Sequence, residues 1–169
     1  MSTTYDFGDG NGPVPAHKHP NGGGWVADTA RVSETAFVGS NAQVYGDALV
    51  CGNAKVYDNA RVFGNVKVYD NARVFGNTQV FGNVKVYGNT QVFGNALIFD
   101  YAKVYGNTQV FNRAQVFGNA RVSGNAWIFG YAWVYDDARV FGNARVCGRA
   151  RARGTAKVED RLLLGGVHE

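Results

Sequence analysis

The chain of 169 residues contains 23 glycines but only three prolines and one methionine, a composition that fits many turns between short strands. Its net charge of +4 is modest, so the placement of the charges says more about a partner than their sum does. No stretch approaches the roughly 18 apolar residues of a membrane-spanning helix, and residues 1–7 lack the basic and apolar regions of a signal peptide. A cytoplasmic location is therefore expected.

Residues 1–23 do not repeat, and we predict that they form an N-terminal arm. The arm is rich in proline and glycine and contains His17 and His19. Two histidines at this spacing could begin a metal site, but no third His, Cys or carboxylate lies nearby at ligand spacing. The favoured interpretation is a structural cap, and no metal or other cofactor is predicted.

After the arm, the sequence repeats a six-residue unit of the type Asn-Ala-Arg-Val-Phe-Gly. Every sixth residue from Val26 to Val146 is Val or Ile, and Ala152, Val158 and Leu164 extend the series to 24 units without an insertion or deletion. The residue two places before the central Val is small, and a Gly-Asn or Asp-Asn pair ahead of it favours a turn. A fixed short period of this kind is typical of a solenoid.

Side chains alternate across a strand, so the central Val and the small residue point inward, and the residues on either side of Val point outward. Three such strands close a triangular coil of about 18 residues, and neighbouring coils hydrogen-bond to each other. The sequence therefore predicts an all-β fold, a parallel β-helix of about eight coils whose repeats occupy residues 24–158. Residues 159–169 lose the Asn turn and are predicted to cap the second end.

This pattern resembles the hexapeptide-repeat proteins that form left-handed parallel β-helices, and the resemblance covers about 140 of the 169 residues. It implies a left-handed coil and, because the family is typically trimeric, a homotrimer. The resemblance is specific for the fold and not for the function. The chain departs from the family just after the central Val, where it carries Tyr or Phe while family members often carry Gly, Ala, Glu or Asp.

One face of the predicted prism carries a column of cations, which we call the basic ladder. It lies just before the central Val residues and consists of Arg31, Lys67, Lys85, Lys103, Arg121, Arg139 and Lys157, with one break at Leu49. Two interpretations stay open. The face could be solvated and keep the protein soluble, or it could bind a polyanion, with Tyr69, Tyr87 and Tyr105 beside it for stacking.

The other two faces carry aromatic columns just after the central Val residues. One column is Tyr45, Phe63, Phe81, Phe99, Phe117 and Tyr135, and the other is Tyr57, Phe75, Phe93, Phe111 and Phe129. Columns of this length should leave larger apolar patches than a monomer normally shows, so we expect them to be buried between subunits. Two apolar faces and one charged face suit a homotrimer, and a dimer or fibre-like stacking is the alternative.

The edge shared by the two aromatic faces departs from the repeat, and we call it the arginine edge. Its turn residue is Asn in four coils and then becomes Arg113, Tyr131 and Arg149. In a repeat sequence, departures from the rule are where function is expected. Guanidinium groups of three chains meeting there would repel each other unless an anion lay among them. The candidate ligand-binding residues are Arg113, Tyr131, Arg149, Trp133, Arg151 and Arg145.

The arginines of this edge could instead form salt bridges to Asp136 or Asp137, or they could simply pack in an interface between subunits. Both alternatives stay open. Tyr101, at a different edge, also breaks the repeat and is interpreted as a variation in surface packing.

Enzymes of the hexapeptide-repeat family are acyltransferases, which use a His as general base, and γ-class carbonic anhydrases, which hold zinc with three histidines from neighbouring chains. Here no His lies between His19 and His168, so the coils lack both arrangements. We therefore predict a non-catalytic protein and keep an acyltransferase or a carbonic-anhydrase-like enzyme as an alternative.

The sequence favours a homotrimer that binds a small anionic, nucleotide-like ligand, because arginines and aromatic side chains occur together. The repeats and the arm also resemble small hexapeptide-repeat proteins of bacteria and their phages. For a phage protein, sequestration of a signalling nucleotide would fit. The alternative from another class is a purely structural protein, such as a fibre or virion component.

Overall fold

The computed structural model describes residues 3–169, which form a coil of short β-strands without helices. The strands belong to three sheets, and neighbouring strands within a sheet come from successive coils. The predicted all-β parallel solenoid of about eight coils is therefore confirmed. The handedness of the coil stays a prediction from the resemblance. Within the described residues, no helix could cross a lipid bilayer.

The strands are numbered in chain order across the three sheets. The first sheet contains β1 (Thr4–Tyr5), β2 (Val14–Lys18), β3 (Trp25–Ala27), β6 (Gln43–Tyr45), β9 (Arg61–Gly64), β12 (Gln79–Gly82), β15 (Leu97–Ile98), β18 (Gln115–Val116), β21 (Trp133–Val134), β24 (Arg151–Ala152) and β27 (Val167–His168). The second sheet contains β4 (Arg31–Val32), β7 (Leu49–Val50), β10 (Lys67–Val68), β13 (Lys85–Val86), β16 (Lys103–Val104), β19 (Arg121–Val122), β22 (Arg139–Phe141) and β25 (Lys157–Glu159). The third sheet contains β5 (Phe37–Val38), β8 (Lys55–Val56), β11 (Arg73–Val74), β14 (Gln91–Val92), β17 (Gln109–Val110), β20 (Trp127–Ile128), β23 (Arg145–Val146) and β26 (Leu162–Leu163).

The register of the coils follows the six-residue period. Lys85 pairs with Lys67 on one side and with Lys103 on the other, so residues 18 apart stand directly above one another. The backbone hydrogen bonds run between coils, as in the 3.1 Å bond from the Lys85 N–H to the Ala102 carbonyl. The stacking that the sequence predicts is confirmed through Val158, which pairs with Val140.

The interior is filled by the inward residues of each unit. The central Val and Ile residues are completely buried, except Val32 in the first coil, and the small residues of the corners are buried with them. Each buried Val stabilises the fold by about 1.5 kcal/mol or more. Threonine replaces alanine at three corners, and the Thr90 hydroxyl donates to the Tyr87 carbonyl at 2.7 Å and lies 3.2 Å from the Thr108 hydroxyl.

The arm lies against the first coil. β2 pairs antiparallel with both β1 and β3, so the arm covers the free edge of the first sheet. The Tyr5 ring stacks on Trp25 with ring centroids 4.4 Å apart, and the Phe7 ring stacks on Tyr45 at 4.7 Å. Arg61 donates to the Phe7 carbonyl and, at 2.7 Å, to the Tyr45 hydroxyl. The arm thus extends one aromatic column by one ring.

The last coil shows that the predicted position of Leu164 is wrong. Val146 pairs with Leu163, which is 6% exposed, whereas Leu164 is 65% exposed. In this turn, which is one residue shorter, the side chain of Asp160 takes the place of a backbone acceptor. Its carboxylate accepts hydrogen bonds from the N–H and the side-chain amide of Asn143, at 2.6 and 3.1 Å. The uninterrupted six-residue spacing therefore ends at Val158.

Candidate functional site

Two edges of the solenoid carry stacked asparagines, and only one of these columns is interrupted by arginine. Between the second and third sheets, each Asn side-chain amide donates to the Asn one coil further on at 3.0–3.3 Å. This column contains Asn53, Asn71, Asn89, Asn107, Asn125 and Asn143. Between the third and first sheets, a similar column links Asn59, Asn77 and Asn95 at 3.0 and 3.4 Å. It stops where the arginine edge begins.

The arginine edge and the adjoining strands of the first sheet form a groove of about 410 Å³, which we call the edge groove. One wall is the turn column of Arg113, Tyr131 and Arg149. The other wall belongs to β18, β21 and β24, where Gln115 pairs with Trp133 and Trp133 pairs with Arg151. The six side chains form two parallel columns because each wall residue lies two positions after an edge residue.

Aromatic rings hold two of the guanidinium groups in the edge groove. Arg113 lies over the Tyr131 ring, 5.6 Å from its centroid, and donates to the Tyr131 hydroxyl at 3.4 Å. Arg151 lies over the Trp133 ring at 4.5 Å. A guanidinium group stacked by its face keeps its N–H groups free at the edges. The rings therefore restrict the orientation of the cations, and apart from the bond from Arg113 to the Tyr131 hydroxyl they leave the N–H donors free.

The charges of the edge groove are not neutralised within the chain. Among residues 3–169, neither Arg113, Arg149 nor Arg151 forms an ion pair with a carboxylate. Within the same residues, the salt bridges to Asp136 or Asp137 considered from the sequence are not formed, and Asp136 instead accepts a hydrogen bond from the Gly154 N–H at 3.0 Å. Arg113 and Arg149, two coils or about 10 Å apart, repel each other by about 0.4 kcal/mol in water.

The repeated architecture also has a counterpart among known families. Four segments of the chain match the family model described as YdcK beta solenoid repeat, at residues 42–55, 66–82, 114–130 and 132–148. The chain is a β-solenoid repeat protein. The matched segments cover less than half of the 169 residues, and the three residues of the arginine edge lie immediately outside them. The match thus includes Gln115 and Trp133 of the edge groove and leaves out its four other lining residues. A comparison with curated proteins finds no match.

The solenoid brings together five of the six predicted ligand-binding residues and leaves out Arg145. That residue lies on β23 in the third sheet, where its guanidinium group stacks over Trp127 at 4.7 Å. Arg153, also near the arginine edge in sequence, pairs instead with Glu169. The hydrogen bond that Arg153 donates to the Glu169 carboxylate raises the pKa of Arg153. Neither arginine lines the edge groove.

The basic ladder stacks on the second sheet of the solenoid in the register predicted from the sequence, with its one break at Leu49. Its members pair in the order Arg31, Leu49, Lys67, Lys85, Lys103, Arg121, Arg139 and Lys157. None of these cations forms an ion pair within the described part of the chain. The ladder is therefore an uncompensated positive column along one wall.

The tyrosines beside the basic ladder stack on one another. Tyr69, Tyr87 and Tyr105 lie with ring centroids 4.8 and 4.9 Å apart and ring planes within 4° of parallel. Because coils repeat at the spacing of paired strands, the middle ring is covered on both faces, whereas Tyr69 and Tyr105 each keep one face without a neighbouring ring. Burial raises the pKa values of Tyr69 and Tyr87 above the ordinary value for tyrosine.

Sequence reasoning missed two further cavities of the solenoid. One, of about 410 Å³, lies between the arm and the first coils and includes Phe7, Asp9 and Tyr45 in its lining. The other, of about 380 Å³, surrounds Tyr101 beside the basic ladder. No feature of the repeated sequence indicates the cavity beside the arm. Tyr101, in contrast, was recognisable from the sequence because it replaces the Asn that usually occupies the turn.

Proposed function

We propose that the edge groove binds a small anionic, nucleotide-like ligand and that the solenoid acts as a non-catalytic homotrimeric binding protein. The observation that supports this proposal most directly is the set of three guanidinium groups without carboxylate partners in one groove. Arginine suits phosphate because its planar fork can donate two parallel hydrogen bonds. Such a protein is expected in the cytoplasm, where phosphate-bearing metabolites are abundant.

The nucleotide-like part of the proposal rests on Tyr131. Its ring is 55% exposed, and it does not belong to either aromatic column. Arg113 stacks against this ring, while the ring borders both the edge groove and a smaller groove of about 280 Å³. A planar base could stack on the exposed ring while its phosphate contacts the arginines. Sequestration of a signalling nucleotide, if the protein comes from a phage, is one use of such a groove.

The binding test compares two double variants that each remove two positive charges. Isothermal titration with ATP and with inorganic phosphate should give ATP the higher affinity for the unchanged protein. Arg113→Asn with Arg149→Asn should weaken ATP binding about hundredfold or more, since a hydrogen bond to a charged group contributes about 1.5–3 kcal/mol. The control variant, Lys85→Gln with Lys103→Gln, changes two cations of the second sheet, which is the face that we expect to stay open. Equal losses in both variants, or no ATP binding to the unchanged protein, would contradict the proposal.

The homotrimer is supported by the two aromatic columns that flank the arginine edge. Their rings stack with centroids 4.7–5.2 Å apart, so the faces are covered and the ring edges point outward. Two apolar stripes meeting at one edge fit a three-fold arrangement in which each chain covers one stripe of its neighbour. The edge grooves of three chains then lie close to a common axis.

The oligomer test introduces charge into the aromatic stripes. Phe81→Glu with Phe93→Glu should reduce the mass measured by light scattering from three chains to one, because carboxylates would be buried in the interface. Tyr69→Glu with Tyr87→Glu is the control on the face that we expect to stay open. An unchanged mass for the phenylalanine variant would show that these stripes do not form the interface.

A further inference from the structure

Tyr101 lies in a groove that the basic ladder lines. It occupies a turn position at which the coils before and after carry Asn83 and Asn119, and its side chain is 60% exposed. Lys103 follows it on the same coil, while Lys85 and Arg121 stand one coil below and one coil above. The three cations line the groove of about 380 Å³ around Tyr101. A large aromatic ring is thus placed level with the middle of three consecutive cations.

The ring of Tyr101 has free faces. Among the described residues, no aromatic ring stacks on it and no guanidinium or ammonium group lies over it. The tyrosine column on the far side of the basic ladder differs, because its rings cover one another. Tyr101 therefore differs from the tyrosines of that column in that neither of its faces is covered by another ring.

The charge of the groove is strongly positive. Asp137 is the one carboxylate of its lining, against three cations, and it forms no ion pair within residues 3–169. The cations continue through Arg139 and Lys157 on one side and Lys67 on the other. The six consecutive cations from Lys67 to Lys157 span five strand spacings, or about 24 Å. A linear anion can follow this column for several repeating units.

We propose that the basic ladder and Tyr101 form a second binding surface, which takes single-stranded nucleic acid. The phosphates lie along Lys85, Lys103 and Arg121, and one base stacks on Tyr101. Proteins that bind single strands without sequence preference combine a row of cations, which follows the phosphates, with exposed aromatic rings on which bases stack. The hydroxyl groups of Tyr87 and Tyr105, on the other side of the ladder, are additional donors to phosphate oxygens. This surface is separate from the edge groove and does not depend on its function.

The first test measures the contribution of the base. Fluorescence anisotropy of a labelled oligothymidylate is compared with that of an abasic strand of equal length, which carries the same phosphates. Tyr101→Asn restores the residue that Asn83 and Asn119 show at this turn, so the variant is expected to fold. It should weaken binding of oligothymidylate about tenfold and leave binding of the abasic strand unchanged, while Tyr101→Phe should behave like the unchanged protein. Equal affinity of Tyr101→Asn and the unchanged protein for oligothymidylate would overturn the proposal.

The second test measures the contribution of the phosphates. The logarithm of the affinity for a single strand falls with the logarithm of salt by about 0.7 for each phosphate neutralised. Lys85→Ala with Lys103→Ala should therefore flatten this slope by about 1.4, whereas Lys55→Gln with Arg73→Gln, of the same net charge, should leave it unchanged. A similar change in both variants would show that net charge and not the ladder attracts the strand, which would refute the proposal. So would the absence of oligothymidylate binding at low salt. The variant Arg113→Asn with Arg149→Asn should keep oligothymidylate binding, which separates this result from a test of the edge groove.

Discussion

Replacing Arg113, Tyr131 and Arg149 together with Asn should remove the edge groove and leave the solenoid slightly more stable. The three new amides continue the ladder from Asn95, and at an exposed edge each contact contributes about 0.5 kcal/mol. Loss of the repulsion between the two arginines adds about 0.4 kcal/mol. Loss of the contact between Arg113 and the Tyr131 ring costs about 0.5–1 kcal/mol. The net expectation is a gain of about 1 kcal/mol in the free energy of unfolding.

The assay is equilibrium denaturation in urea, followed by circular dichroism, with the melting temperature as a second measurement. For a chain of this size, a gain of about 1 kcal/mol raises the melting temperature by about 2–4 °C. The reciprocal control is Asn107→Arg, which breaks the uninterrupted ladder by removing contacts of 3.0 and 3.1 Å and should destabilise the protein by a similar amount. A loss of more than about 1 kcal/mol in the triple Asn variant would refute the reasoning, because the arginine edge would then be required for folding.

Three further predictions test the fold. Leu163→Ala should destabilise the protein by about 2–5 kcal/mol in urea denaturation, whereas Leu164→Ala should change little; the opposite order would restore the unbroken six-residue spacing. Cys147 is 4% exposed, and burial raises the pKa of its thiol, so less thiolate is present. We therefore expect Cys147 to react with iodoacetamide more slowly than the half-buried Cys51, as measured by peptide mapping with mass spectrometry. Equal rates would contradict the burial of Cys147. Asp70 has a φ of 62°, which a β-branched side chain rarely adopts. In the same denaturation assay, Asp70→Val should lower the free energy of unfolding by about 1–2 kcal/mol and Asp70→Gly by much less. Equal losses would show that the backbone conformation is not the cause.

The fold could be predicted from the sequence because each side chain of a solenoid has one place in a short period. An inward Val at every sixth position assigns the neighbours of Lys85 without any knowledge of tertiary contacts, and the structure places them there. The six-residue pattern did not predict the last coil correctly, because the repeat is no longer recognisable in the sequence there. The run of Leu162, Leu163 and Leu164 offers three apolar residues in succession, so the sequence does not show that Leu163 is the buried one.

The candidate site could be predicted in part for the same reason. Arg113, Tyr131 and Arg149 were recognisable as exceptions to the Asn rule, and the fixed register placed Trp133 beside them. The stacking of the tyrosines in the second sheet was not foreseen, because it depends on the tilt of each ring relative to the next coil. The importance of Tyr101 also required the structure, since its groove is lined by side chains from neighbouring coils.

Native mass spectrometry of the purified protein tests the proposed function most directly, because it reports the number of subunits and a bound ligand together. We expect an assembly of three 18.3 kDa chains that adds ATP when ATP is supplied. The variant Arg113→Asn with Arg149→Asn should keep the three chains and lose the ATP adduct. A monomer, or a trimer whose ATP adduct is the same with and without these two arginines, would contradict the proposed function.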